Sequence, residues 1–263
     1  MDQLVDIRAG LVPDGITIVV PVFDEEANIA ALAAEIDASM ASLQMPWECI
    51  WVDDGSTDGT AAILARLCGG GSRHRLLQLN GNQGQSAALA AGFADATMPL
   101  VAMMDGDGQN DPMDLRRMLD LLVAEGLDLV GGYRTNRHGV VRAIASRIAN
   151  SFRNAVTGDD VRDVGCSLRV MRAQYLAGVP VFKGMHRFLP TLLRLNGCRR
   201  QRVLPVPQRP RKAGTSKYGI WDRLWVGIAD AFAVRWWSKR MVTPDIRSRF
   251  PDTQQVREKK VQK

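Results

Sequence analysis

Two spacings of apolar residues alternate along this chain: short unbroken runs, and segments where apolar positions recur every three or four residues. Gly15–Val22 (GITIVVPV) is a β-branched run closed by Pro21, the pattern of a strand buried on both faces. Between Glu25 and Leu43, Ile29, Leu32, Ala33, Ile36 and Met40 fall at helical spacing, with acidic residues in the first turn where the helix dipole favours them. The alternation continues with a strand at Glu48–Val52 and a helix at Ala61–Leu67 capped by Thr57 or Asp58. Then come a strand at Arg75–Leu79, a helix at Gln85–Ala96 and a strand at Leu100–Met104. A helix from Asp111 or Pro112 through Val123 and a strand at Leu127–Gly131 follow. Such strand–helix repetition predicts a parallel, doubly wound sheet, which binds ligands at the carboxyl ends of its strands.

After Tyr133 the rhythm breaks. The spacing predicts a helix over Val140–Val156, a strand over Gly165–Met171, a helix over His186–Leu195 and a strand over Arg200–Val206. Gln208–Lys217 (QRPRKAGTSK) is a basic Pro/Gly loop able to close over an anion. From Trp221 onward, Trp221, Leu224, Trp225, Ile228, Phe232 and Trp236 share about a third of a helix circumference, with Asp222, Arg223 and Asp230 on the other side. Four of the six tryptophans lie here and Arg235, Lys239 and Arg240 follow, which suits a helix in a membrane interface; packing on its own domain or on a membrane-protein partner is the alternative. The expected divisions are an extension over residues 1–14, a catalytic domain over 15–217, the amphipathic helix over 218–242 and a charged tail over 243–263.

Charge sharpens this division. Of the 263 residues, the first 131 carry 20 acidic and 6 basic side chains, whereas the remainder carry 8 acidic and 28 basic, within an overall net charge of +6. Between Val164 and Trp221 no Asp or Glu occurs, while twelve Arg and Lys do. Such asymmetry points to an anionic partner, with a solvated basic face as the plainer alternative. The four cysteines (Cys49, Cys68, Cys166, Cys198) form no CxxC pair, which argues against a zinc site and suits a reducing compartment. Met1–Asp14 lacks a hydrophobic block, so no signal peptide is expected, and no apolar run is long enough to span a bilayer.

The candidate chemistry sits in Val101–Gln109 (VAMMDGDGQ), an apolar run ending in two carboxylates one residue apart. A strand delivering Asp105 and Asp107 to a sheet edge can meet a hard cation and phosphates. A calcium loop starting at Asp105 needs Gly and Glu where Asn110 and Arg116 stand. A phosphatase using the first Asp as nucleophile needs a hydroxyl residue at Gln109. Neither a P-loop nor a GxGxxG is present. A purely structural Asp-Gly-Asp-Gly turn stays open at this point.

Four stretches taken together, Pro21–Asn28 (PVFDEEAN), Val52–Thr60 (VDDGSTDGT), Asn82-Gln83-Gly84 and Met104–Gln109 (MDGDGQ), resemble the family 2 glycosyltransferases of GT-A fold. Within them the chain is most similar to the polyprenyl-phosphate branch typified by dolichyl-phosphate mannose synthases and undecaprenyl-phosphate sugar transferases. The resemblance spans roughly residues 15–220 and implies an α/β, Rossmann-like, mostly parallel sheet flanked by helices. It implies nucleotide binding at Pro21, Phe23, Glu25, Asp53, Asp54 and Asp105, with Asp53 accepting from the base, and a Mg²⁺ or Mn²⁺ site at Asp105, Asp107 and Gln109. It further implies that Arg134, Arg147 and Ser151 grip the acceptor phosphate. Arg211, Ser216 and Lys217 belong to a loop closing on the donor pyrophosphate, and Asp105, Asp107, Arg211 and Lys217 to the catalytic set.

The implied activity is an inverting, metal-dependent transfer of a sugar from a UDP- or GDP-linked donor to a polyprenyl phosphate. The expected location is peripheral, on the cytoplasmic face of the inner or ER membrane, docked through the Trp-rich helix or a separate membrane-protein subunit. An absence supports this independently: a hydroxyl acceptor needs a general base, expected in the span that has no Asp or Glu, whereas a phosphate is already ionised. His186 is a weaker candidate base, with a structural or phosphate-binding role as the alternative. Competing readings are a family 2 transferase acting on a saccharide or lipid hydroxyl, and a non-catalytic membrane adaptor that binds sugar nucleotides. Nucleic acid is not an expected partner, since no aromatic–basic strand motif is present.

Overall fold

The structure, a computed structural model, describes residues 14–135, 140–210 and 220–242; the side chains of 140–148 and 221–225 fall outside the description, as does that of Ile220. In chain order the elements are β1 (Ile16–Val22), α1 (Glu26–Met40), β2 (Trp47–Asp53), α2 (Thr60–Leu67), β3 (His74–Gln78), α3 (Gln85–Asp95), β4 (Leu100–Met103) and α4 (Pro112–Ala124). They continue with β5 (Leu129–Arg134), α5 (Val140–Thr157), β6 (Arg169–Arg172), a 3-10 turn at Ala173–Leu176, α6 (Met185–Leu195), β7 (Gln201–Val206) and α7 (Ile220–Arg240). The expected elements are therefore found, shifted by a few residues at their ends. Two helix starts follow directly from local chemistry: Asp58 accepts from the Thr60 N–H at 2.9 Å, and Asp111 accepts from the Met113 N–H at 2.9 Å with Pro112 in the first helical turn.

The strands form one sheet in the order β3-β2-β1-β4-β6-β5-β7. β1 runs parallel to β2 and β4, β2 to β3, and β5 to β7. The sheet is mostly parallel, as expected, and β6 is its exception, running antiparallel between β4 and β5. Its register pairs Arg169 with Met103 on one side and Gly131 on the other. In an antiparallel strand it is the first residue that lies at the carboxyl edge of the parallel ones. Arg169 thus stands at the ligand edge, two residues from the level of Asp105. The strand is also shorter than expected: residues 164–168 turn off it and form wall instead. Gly165 lies close under Arg134 there, and a Cβ on it would come within 2.4 Å of Arg134 Nη2.

Apolar side chains cover both faces, as a parallel sheet requires. Ile29, Ile36, Leu64, Leu115 and Met118 of α1, α2 and α4 pack on one face. Leu89, Phe188, Leu189, Ala231 and Val234 of α3, α6 and α7 pack on the other. The inward face of α7 is thus its small-residue face, with Ala231 at 0% and Val234 at 3% exposure, whereas Phe232 and Trp236 are 54% and 61% exposed. Asp230 lies, as expected, on the side of α7 away from the exposed Phe232 and Trp236. It turns inward, its Oδ2 is buried, and it lies so close to the start of α6 that a Cβ on Gly184 would meet it at 2.9 Å. Among the described residues no helix is long and apolar enough to cross a membrane.

Candidate functional site

The site is assembled from loops that bond to one another. After β1 the backbone takes a left-handed turn at Asp24 (φ 52°), where its N–H donates to the Ser56 hydroxyl at 2.9 Å and its carboxylate accepts from the Thr57 N–H at 2.8 Å. The Glu25 N–H donates to Thr60 Oγ1 at 2.9 Å, and the Glu26 carboxylate accepts from the Gly59 N–H at 2.7 Å. A non-glycine residue in that conformation is strained, and these contacts hold it. The polar residues of both loops therefore serve first to lock the ends of β1 and β2 together.

A third loop is fastened in the same way. Asp54 Oδ1 and Oδ2 accept from the Gln83 and Gly84 N–H groups at 2.7 and 2.8 Å. Gly55, at φ +74°, packs so tightly on this loop that a Cβ would lie 2.4 Å from Gly81 Cα. Asp53 instead folds back, buried, to accept from the Ser56 N–H at 3.0 Å.

Beyond the end of β4, Asp105 and Asp107 line the same cleft. Asp105 Oδ1 accepts from Gln85 Nε2 at 2.7 Å, and Asp107 Oδ1 accepts from the Gln109 N–H at 3.1 Å. Desolvation, and after it the charge of Asp107, pushes the Asp105 carboxyl up to about 6, against the opposing pull of Ser167, Arg169 and Arg134. The Asp105 carboxyl is thus desolvated with Asp107 as its like-charged neighbour, an arrangement that a hard divalent cation relieves. Among the described residues no group of three or more His, Cys, Asp or Glu forms a self-sufficient metal site. The donor set fits a cation that takes its remaining oxygens from a ligand's phosphates. Gln109 is only partly available for that purpose. Its Nε2 donates to the Arg209 carbonyl at 3.3 Å, while Arg209 returns its N–H to the Gln109 carbonyl at 2.9 Å and pairs with Glu35 and Asp111 at 2.5 and 2.6 Å.

Pro21, Phe23, Glu25, Asp54, Asp105, Asp107, Gln109 and Arg134 all line one cleft of about 740 Å³. Arg134 is not a solvated surface charge: its Nε and Nη2 donate to the two oxygens of Asp163 at 2.9 and 3.1 Å. Asp53 is not on the cleft wall. Ser151 is exposed on α5 and is not among the residues that line the cleft. The side chain of Arg147, and Arg211, Ser216 and Lys217 entirely, lie outside the described residues. His186 lines the cleft with its Nδ1 2.9 Å from Ser86 Oγ.

Sequence reasoning missed Gln85 and Ser86, which open α3 at the cleft, and Arg169, one of twelve cations in an acid-free span. Arg169 is 2% exposed and donates to the His186 carbonyl at 3.1 Å, the Val164 carbonyl at 3.4 Å and Met103 Sδ at 3.8 Å. Burial pushes its guanidinium below the ordinary arginine value, and arginine nonetheless stays charged in proteins.

Fold and cleft define a class: a Rossmann-like α/β protein of GT-A type, with an acidic pair where the strand order changes. The chain belongs to glycosyl transferase family 2, whose profile it matches over residues 17–178. It is 37% identical over 233 residues to a dodecaprenyl-phosphate galacturonate synthase of Rhizobium johnstonii, covering 87% of this chain and 69% of that protein. It is 33% identical over 207 residues to an undecaprenyl-phosphate 4-deoxy-4-formamido-L-arabinose transferase of Pectobacterium carotovorum, covering 78% of this chain and 63% of the relative. The chain thus spans about two thirds of the length of these relatives. Among solved structures, glucosyl-3-phosphoglycerate synthase from Mycobacterium tuberculosis with phosphoglyceric acid superposes at a TM-score of 0.63. There the identity is 19%, with 91% of this chain and 85% of that one covered. A complex of the same enzyme with Mn²⁺, UDP and glucosyl-3-phosphoglycerate gives 0.61 at 21% identity, covering 88% of this chain and 81% of that one.

The raised Asp105 carboxyl has a measurable sign. In the metal-free protein the folded state binds this proton more tightly than the unfolded chain. Stability is therefore lost as pH rises from the ordinary carboxylate range through about 6. Asp105→Asn is expected to melt higher than the wild type at pH 7.5 without divalent cations, with the difference disappearing near pH 4. Thermal denaturation at both pH values checks this, and an equal or lower melting temperature at pH 7.5 contradicts it.

Proposed function

We propose that the protein moves a sugar from a nucleoside diphosphate sugar, UDP- or GDP-linked, to the phosphate of a polyprenyl lipid. The observation that carries this is the commitment of every carboxylate on the cleft wall. Asp105 and Asp107 form the cation pair, Asp54 is saturated by two backbone N–H groups, and Glu25 accepts from Asn28 Nδ2 at 2.6 Å on the nucleotide side. Asp163, just before the acid-free span, is bound by Arg134 and does not line the cleft. No described carboxylate stands ready to deprotonate a hydroxyl acceptor, and a phosphate needs none. Both relatives above are named for lipid-phosphate acceptors. The mycobacterial enzyme holds Mn²⁺ with UDP on the same fold.

In this reading an oxygen of the lipid phosphate attacks the anomeric carbon, the bond from that carbon to the donor's diphosphate oxygen breaks, and the nucleoside diphosphate leaves with inversion. Pro21, Phe23, Glu25 and Asp54 seat the nucleotide, and Arg134, oriented by Asp163, faces the incoming phosphate. Asp105, Asp107 and Gln109 would hold a Mg²⁺ or Mn²⁺ ion, which would supply charge stabilisation of the leaving group. Arg147 and Ser151 on α5, and Arg211, Ser216 and Lys217 beyond Pro210, are proposed to add phosphate contacts. With polyprenyl phosphate, Mn²⁺ and a panel of labelled sugar nucleotides, an organic-soluble sugar-phosphate lipid is expected. Asp107→Ala should reduce its formation at least about a hundredfold while leaving the melting temperature within a few degrees. A product formed only on hydroxyl acceptors favours the saccharide-acceptor reading.

We further propose that α7 seats the protein on the cytoplasmic membrane face. Phe152 and Phe232 stack edge to face at 6.3 Å, Trp236 lies exposed with Arg240 over its ring at 5.6 Å, and Arg235 and Lys239 add charge. Co-sedimentation with vesicles of anionic lipid should fall about tenfold in a Phe232→Ala/Trp236→Ala protein. Unchanged binding to lipid assigns the face to a membrane-protein subunit instead.

A further inference from the structure

After β7 ends at Val206, the chain returns to the acidic motif. Gln109 and Arg209 meet there through a pair of hydrogen bonds. The Arg209 N–H donates to the Gln109 carbonyl at 2.9 Å, and Gln109 Nε2 donates to the Arg209 carbonyl at 3.3 Å. The second bond decides which end of the Gln109 amide is left for a ligand. With Nε2 turned to a carbonyl, Oε1 is the end that remains at the cleft, and oxygen is what a hard cation takes. Gln109 has reason to need such a hold, since it follows the left-handed Gly108 (φ 69°), which has no side chain to fix the turn. A glutamine ordered only when the ion arrives loses its rotamer freedom at that moment, which weakens binding roughly tenfold. Asn110 is pinned on one side, its Nδ2 donating to Ser167 Oγ at 3.1 Å. On the other side the hold is Arg209.

Arg209 is itself fixed through its side chain. Its Nη1 pairs with Glu35 of α1 at 2.5 Å, and its Nη2 with Asp111, the N-cap of α4, at 2.6 Å. Pro210 restricts it further, because a residue before proline keeps to extended backbone. Two carboxylates around one guanidinium leave no surplus positive charge to oppose a cation, and Arg209 is not on the cleft wall. Its route to the site therefore runs through Gln109. We infer that Arg209 is a positioning residue for the cation site: clasped by Glu35 and Asp111, it presents its carbonyl to Gln109 Nε2 and so keeps Gln109 Oε1 ready for the ion. The inference rests on the transferase reading, which gives Gln109 to a Mg²⁺ or Mn²⁺ ion.

The test is a binding measurement on the full chain. Isothermal titration with UDP and with GDP, each at zero and at saturating Mn²⁺, reads the gain in nucleotide affinity that the cation brings. Arg209→Ala and Glu35→Lys are expected to cut this gain about fivefold while leaving the affinity without Mn²⁺ unchanged. The Glu35 variant, at a half-exposed position of α1, keeps the test decisive should the first fail to fold, which circular dichroism checks for both. Gln109→Ala is expected to cut the gain at least as far. Adding Arg209→Ala to it should then change the gain by less than about twofold, because the route is already gone. A wild-type gain in both Arg209→Ala and Glu35→Lys overturns the inference and leaves the cation site standing. So does a further fivefold loss in the double variant, which gives Arg209 another route. Equal losses with and without Mn²⁺ mark general damage to the cleft and also overturn it. No gain in a wild-type protein that binds the nucleotide overturns the cation role of Gln109 itself, and the inference with it.

Discussion

Like-charge crowding at one strand end is the constraint on which the rest of this structure depends. Asp105 and Asp107 share a cleft wall, and the first of them is held well above the ordinary carboxylate range by burial and by its neighbour. Such a pair is costly without compensating positive charge, and Arg169 and Arg134 offset it only in part. Gln85 offers Asp105 a neutral donor, Ser167 another, and the Arg209 clasp fixes the segment that carries the motif. The strain at Asp24 and the close approach of Gly55 to Gly81 belong to the same arrangement, because they bring three loop ends to one edge of the sheet.

Topology then sets the opposite charge beside it. Because β6 runs against its neighbours, its first residue reaches the ligand edge, and Arg169 comes to lie between the acidic pair and Arg134. An acidic first half and a basic second half meet along the boundary between β4 and β6. The charge division in the sequence is thereby folded into a cleft with one negative wall and one positive wall. Desolvating a charge costs several kcal/mol per ion, and the Arg169 guanidinium and the Asp105 carboxyl each offset part of the other's cost.

Much of this was legible beforehand, for reasons that can be stated residue by residue. The β-branched run Ile16–Val22 and the spacing of Ile29, Leu32, Ile36 and Met40 announce a buried strand and the helix covering it, since burial on both faces leaves no other pattern. The motif residues around the cleft were visible through their resemblance. What stayed hidden depends on partners remote in sequence. A four-residue strand such as β6 carries no signal of its direction, so Arg169 looked like any of twelve cations. Asp53 and Asp54 are adjacent and chemically alike, and only the fold shows the second at the cleft and the first behind it. Asp230 sat on the polar side of a helical wheel, yet the small residues Ala231 and Val234, and not the aromatic ones, face the core.

If the acidic pair exists to receive a cation shared with a donor's phosphates, cation and nucleotide must bind interdependently. Isothermal titration of the full chain with UDP and with GDP, each with and without Mn²⁺, tests this directly. The account predicts that Mn²⁺ tightens binding of the preferred nucleoside diphosphate at least about tenfold in the wild type, and that this gain is lost in Asp107→Ala. Equal affinity with and without the cation, in a wild-type protein that binds the nucleotide, would contradict it.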